Sequence, residues 1–242
     1  MIRLGVNVDH IATLRQLRGG STPYPDLLFY VKESVRAGAD QITIHLREDR
    51  RHIQLNDLKL LAKNCPVNLN LEMAASSEML KLAKKYKPTW CCFVPEKRQE
   101  LTTEGGLDVL RNEKKIKLYA EKLQSFGIEI SLFIEPNLEQ IRSSYRVGAD
   151  AIELHTGKWV LLKGRRKQLE WRRLVEAAKL GHKLGMRVHA GHGLDLMHTQ
   201  KIKFLPFLRE VNIGHFLICD SLKDGLFASV QRMKKTLTTR KS

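Results

Sequence analysis

The sequence predicts a (β/α)8 barrel with additional helices, formed as one domain over residues 1–242. Three observations predict it. Strand-like segments recur along the whole chain with helical stretches between them. Several of those helices end in glycine directly before the next strand. Polar groups gather at the C-terminal ends of the strands, whereas the N-terminal ends are plainer.

The strand candidates, in order, are RLGVNV (3–8), QITIHL (41–46), VNLNLEM (67–73), WCCFV (90–94), IEISLFI (128–134), AIELH (151–155), MRVHA (186–190) and EVNIG (210–214). Between them lie helical patterns such as DLLFYVKESVRAG, with apolar residues spaced by three and four. Gly38, Gly127, Gly148 and Gly185 stand where helices stop, and glycine enters the left-handed backbone region freely. RAGADQITIHL (36–46) echoes RVGADAIELHT (146–156), which fits a βα unit used more than once. A doubly wound open sheet is the alternative, but GxGxxG is missing after the first strand. No linker rich in Pro, Gly or Ser divides the chain.

Composition narrows the function classes. Hydrophobic residues make up 43% of the chain, enough for a sizeable core, yet no apolar run is long enough to span a bilayer. The N-terminus goes straight into a strand pattern without a leader-like segment, which predicts a cytoplasmic location. Cys65, Cys91, Cys92 and Cys219 show no metal-ligand spacing and are expected to be reduced core residues. The net charge of +16 is spread over many helical segments, so it is expected to be a solvated surface property.

The strand ends carry the functional signal. They present Asn7, Asp9 and His10; His45 and Arg47; Glu72; Glu96 and Lys97; Glu135; Glu153 and His155; His192; and His215. In such a barrel the active site forms at this end. AGHGL (190–194) and NIGHF (212–216) each place Gly-His between a strand and a helix, and suit a phosphate site near the last two strands. TTEGGLD (102–108) has the composition of a lid.

VNVDHIATLRQLRG, TIHLREDRRHI, NLEMA, VPEKRQELTTEGGLDV, SLFIEP, IELHTG, AGHGL and NIGH occur in this order, and the set closely resembles the pyridoxine 5′-phosphate synthase family of vitamin B6 biosynthesis. The resemblance runs from about residue 4 to about residue 233. It implies a TIM barrel assembled as a homo-octamer. It implies condensation of 3-amino-2-oxopropyl phosphate with 1-deoxy-D-xylulose 5-phosphate, with no metal and no cofactor. It further implies that His45, Glu72 and His192 act as acid–base groups and Glu153 stabilises the transition state. Asn7, Arg18, Gly193, Gly214 and His215 match positions that hold the aminoketone phosphate. Asp9, His10, Arg47, His52 and Thr102 match positions that hold the sugar phosphate. The sequence departs from the family pattern at His189, where asparagine is common, and at Cys219, Asp220 and Ser221.

Two other readings have distinct requirements. A lysine Schiff-base aldolase on the same barrel needs Lys97 or Lys158 inside the pocket. A basic nucleic-acid-binding protein on a degenerate barrel needs cations gathered on one face with aromatic residues among them, and only Trp159 and Trp171 sit in a basic stretch. Expected partners are therefore small phosphorylated substrates, with no specific nucleic acid and no membrane.

Overall fold

The computed structural model describes residues 1–96 and 105–239. Its strands close into a parallel barrel in sequence order, β1 beside β2 through to β8 beside β1. The strands are β1 (Arg3–Asn7), β2 (Gln41–His45), β3 (Asn68–Met73), β4 (Trp90–Phe93), β5 (Glu129–Ile134), β6 (Ala151–His155), β7 (Arg187–Gly191) and β8 (Leu208–Ile213). Each overlaps its sequence candidate, and most boundaries agree within a residue or two.

The helices are α1 (Asp9–Gln16), α2 (Leu27–Arg36), α3 (Leu55–Asn64), α4 (Ser77–Tyr86), α5 (Val109–Gln124), α6 (Leu138–Arg146), α7 (Gly157–Leu161), α8 (Gly164–Lys183), α9 (Leu196–Ile202), α10 (His215–Asp224) and α11 (Leu226–Thr238). The additional helices are α1, α7 and α10, which directly follow β1, β6 and β8. They begin at the C-terminal ends of these strands, where the catalytic candidates lie.

Local chemistry explains the helix ends. Asp26, Ser76, Asn137 and Asp195 cap α2, α4, α6 and α9, each accepting a backbone N–H of the first turn. Gln54 and Asp57 form a capping box on α3. Both Asp57 oxygens also accept from Arg15, at 2.8 and 2.7 Å, which ties α3 to α1. Gly38, Gly127, Gly148 and Gly185 all have positive φ.

Strand side chains alternate between two environments. Leu4, Val6, Ile42, Ile44, Leu69, Leu71, Cys91, Phe93, Ile130, Leu132, Ile152, Leu154, Val188, Ala190, Val211 and Ile213 belong to one core cluster with the helices. The alternate positions face the barrel interior and are largely polar: Gln41, Thr43, Asn70, Ser131, Glu153, His189, Glu210 and Asn212 are all buried. Cys91 and Cys92 therefore belong to different cores, Cys92 packing with Val94 and Phe133.

Two glycines make this polar interior fit. A Cβ at Gly5 would lie 1.9 Å from Asn212 Oδ1, and one at Gly191 would lie 2.1 Å from Glu153 Oε1. The missing side chains are replaced by the neighbouring strand's amide and carboxyl. His189 sits at a register shift in β7 against β8 and stacks edge-on to Trp90 at 5.5 Å. It lies in the interior below the mouth, away from the phosphate-type turns.

The remaining cysteine expectation needs correction. Cys91 and Cys92 are buried free thiols and Cys65 is half-buried, but Cys219 is exposed on α10. Its Sγ lies 3.5 Å from His215 Nε2, one helical turn away. Asp220 pairs with Arg232 of α11 at 2.6 Å, and Ser221 bonds the Ile218 carbonyl, so these departures secure the α10–α11 corner.

Candidate active site

Strand register assembles the site. His45 ends β2 directly opposite Glu72 on β3, and Glu72 faces Cys92 on β4. His45 Nδ1 lies 3.8 Å from Glu72, while its Nε2 lies 2.9 Å from Glu96 Oε1. Glu96 is fixed further by the Glu48 N–H, at 3.0 Å. Asp9 holds the same corner from below: it accepts the His45 backbone N–H at 2.8 Å and the Asn7 amide at 2.8 Å. Asn7 returns the favour, accepting the Asp9 N–H at 2.9 Å.

Across the barrel, Glu153 on β6 is only 3% exposed and accepts a 2.8 Å hydrogen bond from Asn212. Asn212 also accepts from Thr43, which accepts from Asn70. A hydrogen-bonded girdle therefore runs across the interior beneath the mouth. Below it, Glu210 takes hydrogen bonds from Gln41 at 2.7 Å and, at 3.4 Å, from Asn212. It also pairs with Arg3 at 3.3 Å.

The electrostatics follow from this burial. Burial pushes the Glu72 carboxyl well above its ordinary value, and the nearby Glu153 and Asp9 charges push the same way. Burial raises Glu153 to about 8 against the opposing bond from Asn212, with Glu210 adding to the rise. Burial also lifts Glu210 to about 7, opposed chiefly by Arg3. His192 is lowered to about 4, first by burial and then by the charges of His155 and His215. Glu96 moves the other way: although burial raises it, its bond to His45 and further contacts hold it below the carboxylate norm.

These shifts predict a pH-dependent stability. Glu153 and Glu210 bind protons more tightly folded than unfolded, so their contribution is complete below about 4.5 and is lost as pH rises through about 7 and about 8. His189 and His192 run the opposite way: their contribution is complete above 6.5 and is lost as pH falls through about 4 and about 3. Between pH 6.5 and about 8 the histidine contribution no longer changes, and the carboxyls decide the slope. The melting temperature should therefore fall across that window, by about 2–4 °C for each kcal/mol lost in a chain of this size. Calorimetry at stepped pH measures it, and a rising Tm over the window contradicts the buried-carboxyl account.

The phosphate-type elements close the opposite side. His192 and Gly193 both have positive φ, 77° and 79°, giving a tight left-handed turn after β7. Thr156 Oγ1 locks that turn by donating to the carbonyls of Gly191 at 2.7 Å and His192 at 2.6 Å. Gly214 caps α10, whose first-turn N–H groups lack acceptors within the helix. A Cβ on Gly214 would crowd Asn7, 3.0 Å from its Cβ, so β8 and β1 approach closely there. His215 stands edge-on to His10 at 5.2 Å. Arg47 is 3% exposed, and its Nε lies 3.4 Å from Asp49; His52 stacks edge-on to His45 at 6.2 Å.

The sequence-derived set thus converges with two exceptions. Arg18 is exposed in the turn after α1 and hydrogen-bonds to none of these side chains. Thr102, like Lys97 and the start of the lid-like loop, lies outside the described residues. Asp9, His45 and Glu72 place three ligand-type atoms within 4.8 Å of one another, so this corner has the donors to hold a cation. Both Asp9 carboxylate oxygens and His45 Nε2 are engaged in hydrogen bonds, while His45 Nδ1 faces Glu72 at 3.8 Å. Sequence reading missed Thr43, Asn70, Glu210 and Asn212. Their signal was polar residues at period two in QIT, NLN and REVN, where a parallel barrel normally reads as an apolar run.

Among the described residues, those named for the rival readings lie elsewhere, while Lys97 is outside the described residues. Lys158 is 53% exposed on its side chain and lies 3.7 Å from Glu170, on the outside of the mouth. Trp159 is buried against Trp171, 5.4 Å away, and His198, so it offers no stacking platform. No helix of the described residues is long and apolar enough to cross a membrane.

Comparison with known proteins agrees with this architecture. Among solved structures, KGPDC from Streptococcus mutans superimposes with a TM-score of 0.68 at 11% identity, covering 98% of this chain and 97% of that one. A phosphoribosylanthranilate isomerase from Thermotoga maritima gives 0.62 at 11% identity, with 98% of both chains covered. These likenesses concern the fold. In sequence, the pyridoxine 5′-phosphate synthase of Bdellovibrio bacteriovorus is 66% identical over 236 residues, 98% of each chain. That of Magnetococcus marinus is 49% identical, covering 98% of this chain and 97% of its own. The family described as pyridoxal phosphate biosynthesis protein PdxJ matches residues 4–239, and with a closed barrel and a mouth ringed by carboxyls and imidazoles the chain belongs to that family.

Proposed function

We propose that this chain is a pyridoxine 5′-phosphate synthase that condenses 3-amino-2-oxopropyl phosphate with 1-deoxy-D-xylulose 5-phosphate, releasing phosphate and water. The observation that carries the reading is the pair of carboxyls raised by burial, Glu72 facing His45 and Glu153 bonded to Asn212, in a polar barrel. The aminoketone brings its own amine, so the two substrates can form an imine without an enzyme lysine. What remains is proton transfer, loss of water and loss of phosphate, which calls for several acid–base groups around one pocket.

In this reading Glu72 takes and returns protons, with His45 passing them toward Glu96. Glu153, largely neutral, donates a hydrogen bond to charge that develops on oxygen in the transition state. His192, neutral at physiological pH, is the acid–base group of the other wall. Asn7, Arg18, Gly193, Gly214 and His215 hold the aminoketone phosphate. Asp9, His10, Arg47, His52 and Thr102 hold the sugar phosphate. The catalytic unit is the single barrel over residues 1–242, working without metal or organic cofactor, in the cytoplasm. A homo-octamer fits the exposed apolar side chains Leu14, Leu17, Tyr24 and Phe29 around α1 and α2, which a neighbouring copy would cover.

The test is a product assay with both phosphorylated substrates, with and without chelator. The expected result is pyridoxine 5′-phosphate and stoichiometric phosphate, unchanged by chelator. Absence of product overturns the reading, and loss of activity on chelation overturns its metal-free form.

A further inference from the structure

The mouth carries acid–base groups on two walls. The β2–β3–β4 wall holds His45 between Glu96 and Glu72. The β5–β6–β7 wall holds a second carboxylate–imidazole pair that the reaction as described leaves idle. Glu135, just beyond β5, lies with Oε1 2.7 Å from Nδ1 of His155, the last residue of β6. Their hydrogen bond is the chief influence holding Glu135 below the usual carboxylate range. The Gly106 N–H donates to the same Glu135 oxygen at 3.2 Å, and the Leu107 N–H anchors that loop to the Phe133 carbonyl at 2.7 Å.

The other nitrogen of His155 is the informative atom. His155 is 5% exposed, and its Nε2 is buried without a hydrogen-bond partner among the described residues. Leaving such a group unsatisfied is costly, and a bound molecule that pairs with it recovers that cost. Nε2 packs against Gly157 beside the ring of His192. A Cβ at Gly157 would lie 2.7 Å from His155 Nε2 and 2.8 Å from His192 Cδ2, so only glycine fits against the two rings. The two imidazoles stand edge-on at 5.1 Å, and Phe133 lines both, at 5.2 and 6.4 Å.

We propose that the Glu135–His155 pair is a second acid–base centre of the pocket, with His155 Nε2 giving its proton directly to the hydroxyl that leaves as water. The inference rests on the synthase reading above. β3 and β6 are three strands apart in a ring of eight, so Glu72 and His155 address the substrate from opposing sides. Glu72 removes a proton from carbon, and the C–H electron pair becomes the new double bond. The C–O bond breaks with its electron pair on oxygen, and the Nε2 proton completes the water molecule. Glu135 supports the imidazolium, as in other carboxylate–histidine pairs. Its side chain is 34% exposed, which gives His155 a route to regain a proton from solvent.

The experiment uses the full chain with His155→Gln, Glu135→Gln and Glu135→Asp. Glutamine at 155 keeps a polar contact to Glu135 but cannot carry the proton. Turnover should fall about 10²-fold in His155→Gln, with KM for either substrate little changed. Rapid quench should show a condensed, undehydrated intermediate accumulating. Glu135→Gln should give a smaller loss of the same kind, and Glu135→Asp should restore part of it. Normal kcat, or a raised KM with normal kcat, in folded His155→Gln overturns the proposal. If that variant does not fold, the half-buried Glu135→Gln decides by the same intermediate. Wild-type protein that makes no product marks failure of the synthase reading instead, which these outcomes distinguish.

Discussion

Glu72→Gln should lower turnover by roughly 10²–10⁴-fold, the range for removing a positioned acid–base group. The substitution preserves shape and removes the exchangeable proton. Glu72 is well placed to show a clean effect. Its side chain is 17% exposed, facing His45 across the β2–β3 register, and burial holds its carboxyl well above the ordinary value. A carboxyl lifted in this way holds a proton more readily than an ordinary carboxylate does. Binding of either phosphate should change much less, because the proposed phosphate contacts are Arg47 and the turns after β7 and β8. Single-turnover kinetics with both substrates is the decisive measurement. Near-normal ring closure would sink the assignment of Glu72.

His192→Asn should cost a comparable factor, roughly 10²–10⁴-fold in turnover, while blocking a different proton transfer. The choice of asparagine matters. His192 has a φ of 77°, and asparagine tolerates the left-handed region better than most non-glycine residues. Thr156 holds the turn through the backbone carbonyls of Gly191 and His192, and these survive the change. The loop should therefore stay in place while the imidazole is lost. With its pKa lowered to about 4, His192 is neutral at assay pH and acts by accepting a proton or through its neutral N–H. Rapid-quench analysis should find an intermediate distinct from that of Glu72→Gln. The same intermediate in both variants would place the two residues on one step and contradict separate roles.

The barrel was legible because its grammar is local. Strand, glycine stop and polar strand end repeat in the sequence, and β6 falls on residues 151–155 as read. Boundaries slipped where no turn residue marks them: β8 begins at Leu208, not Glu210, and β7 runs on through Gly191. His45, Glu72, Glu153 and His192 were legible as strand-end groups. The girdle of Thr43, Asn70 and Asn212 was not, because each residue alone reads as an ordinary polar strand position. Only closure of the ring brings β2, β3, β6 and β8 side chains within hydrogen-bond reach. Arg18 entered the set through the family resemblance alone, and it stands exposed in the turn after α1. Cys219 was misread because helix α10 is apolar on one face only, and the thiol is on the other.

The glycine at position 191 has a consequence for how this protein can change. The space it leaves is filled by a carboxyl oxygen of Glu153, which is at once a packing element and a proposed catalytic group. The two faces of each strand therefore answer to separate pressures. Substitutions in the apolar annulus between strands and helices change how well the fold survives heat and can drift while volume is kept. Substitutions in the lumen change which protons the molecule holds. A directed search for heat-resistant variants should accept changes in the annulus freely and lose activity at almost every lumen position. That asymmetry would map the boundary between scaffold and chemistry residue by residue.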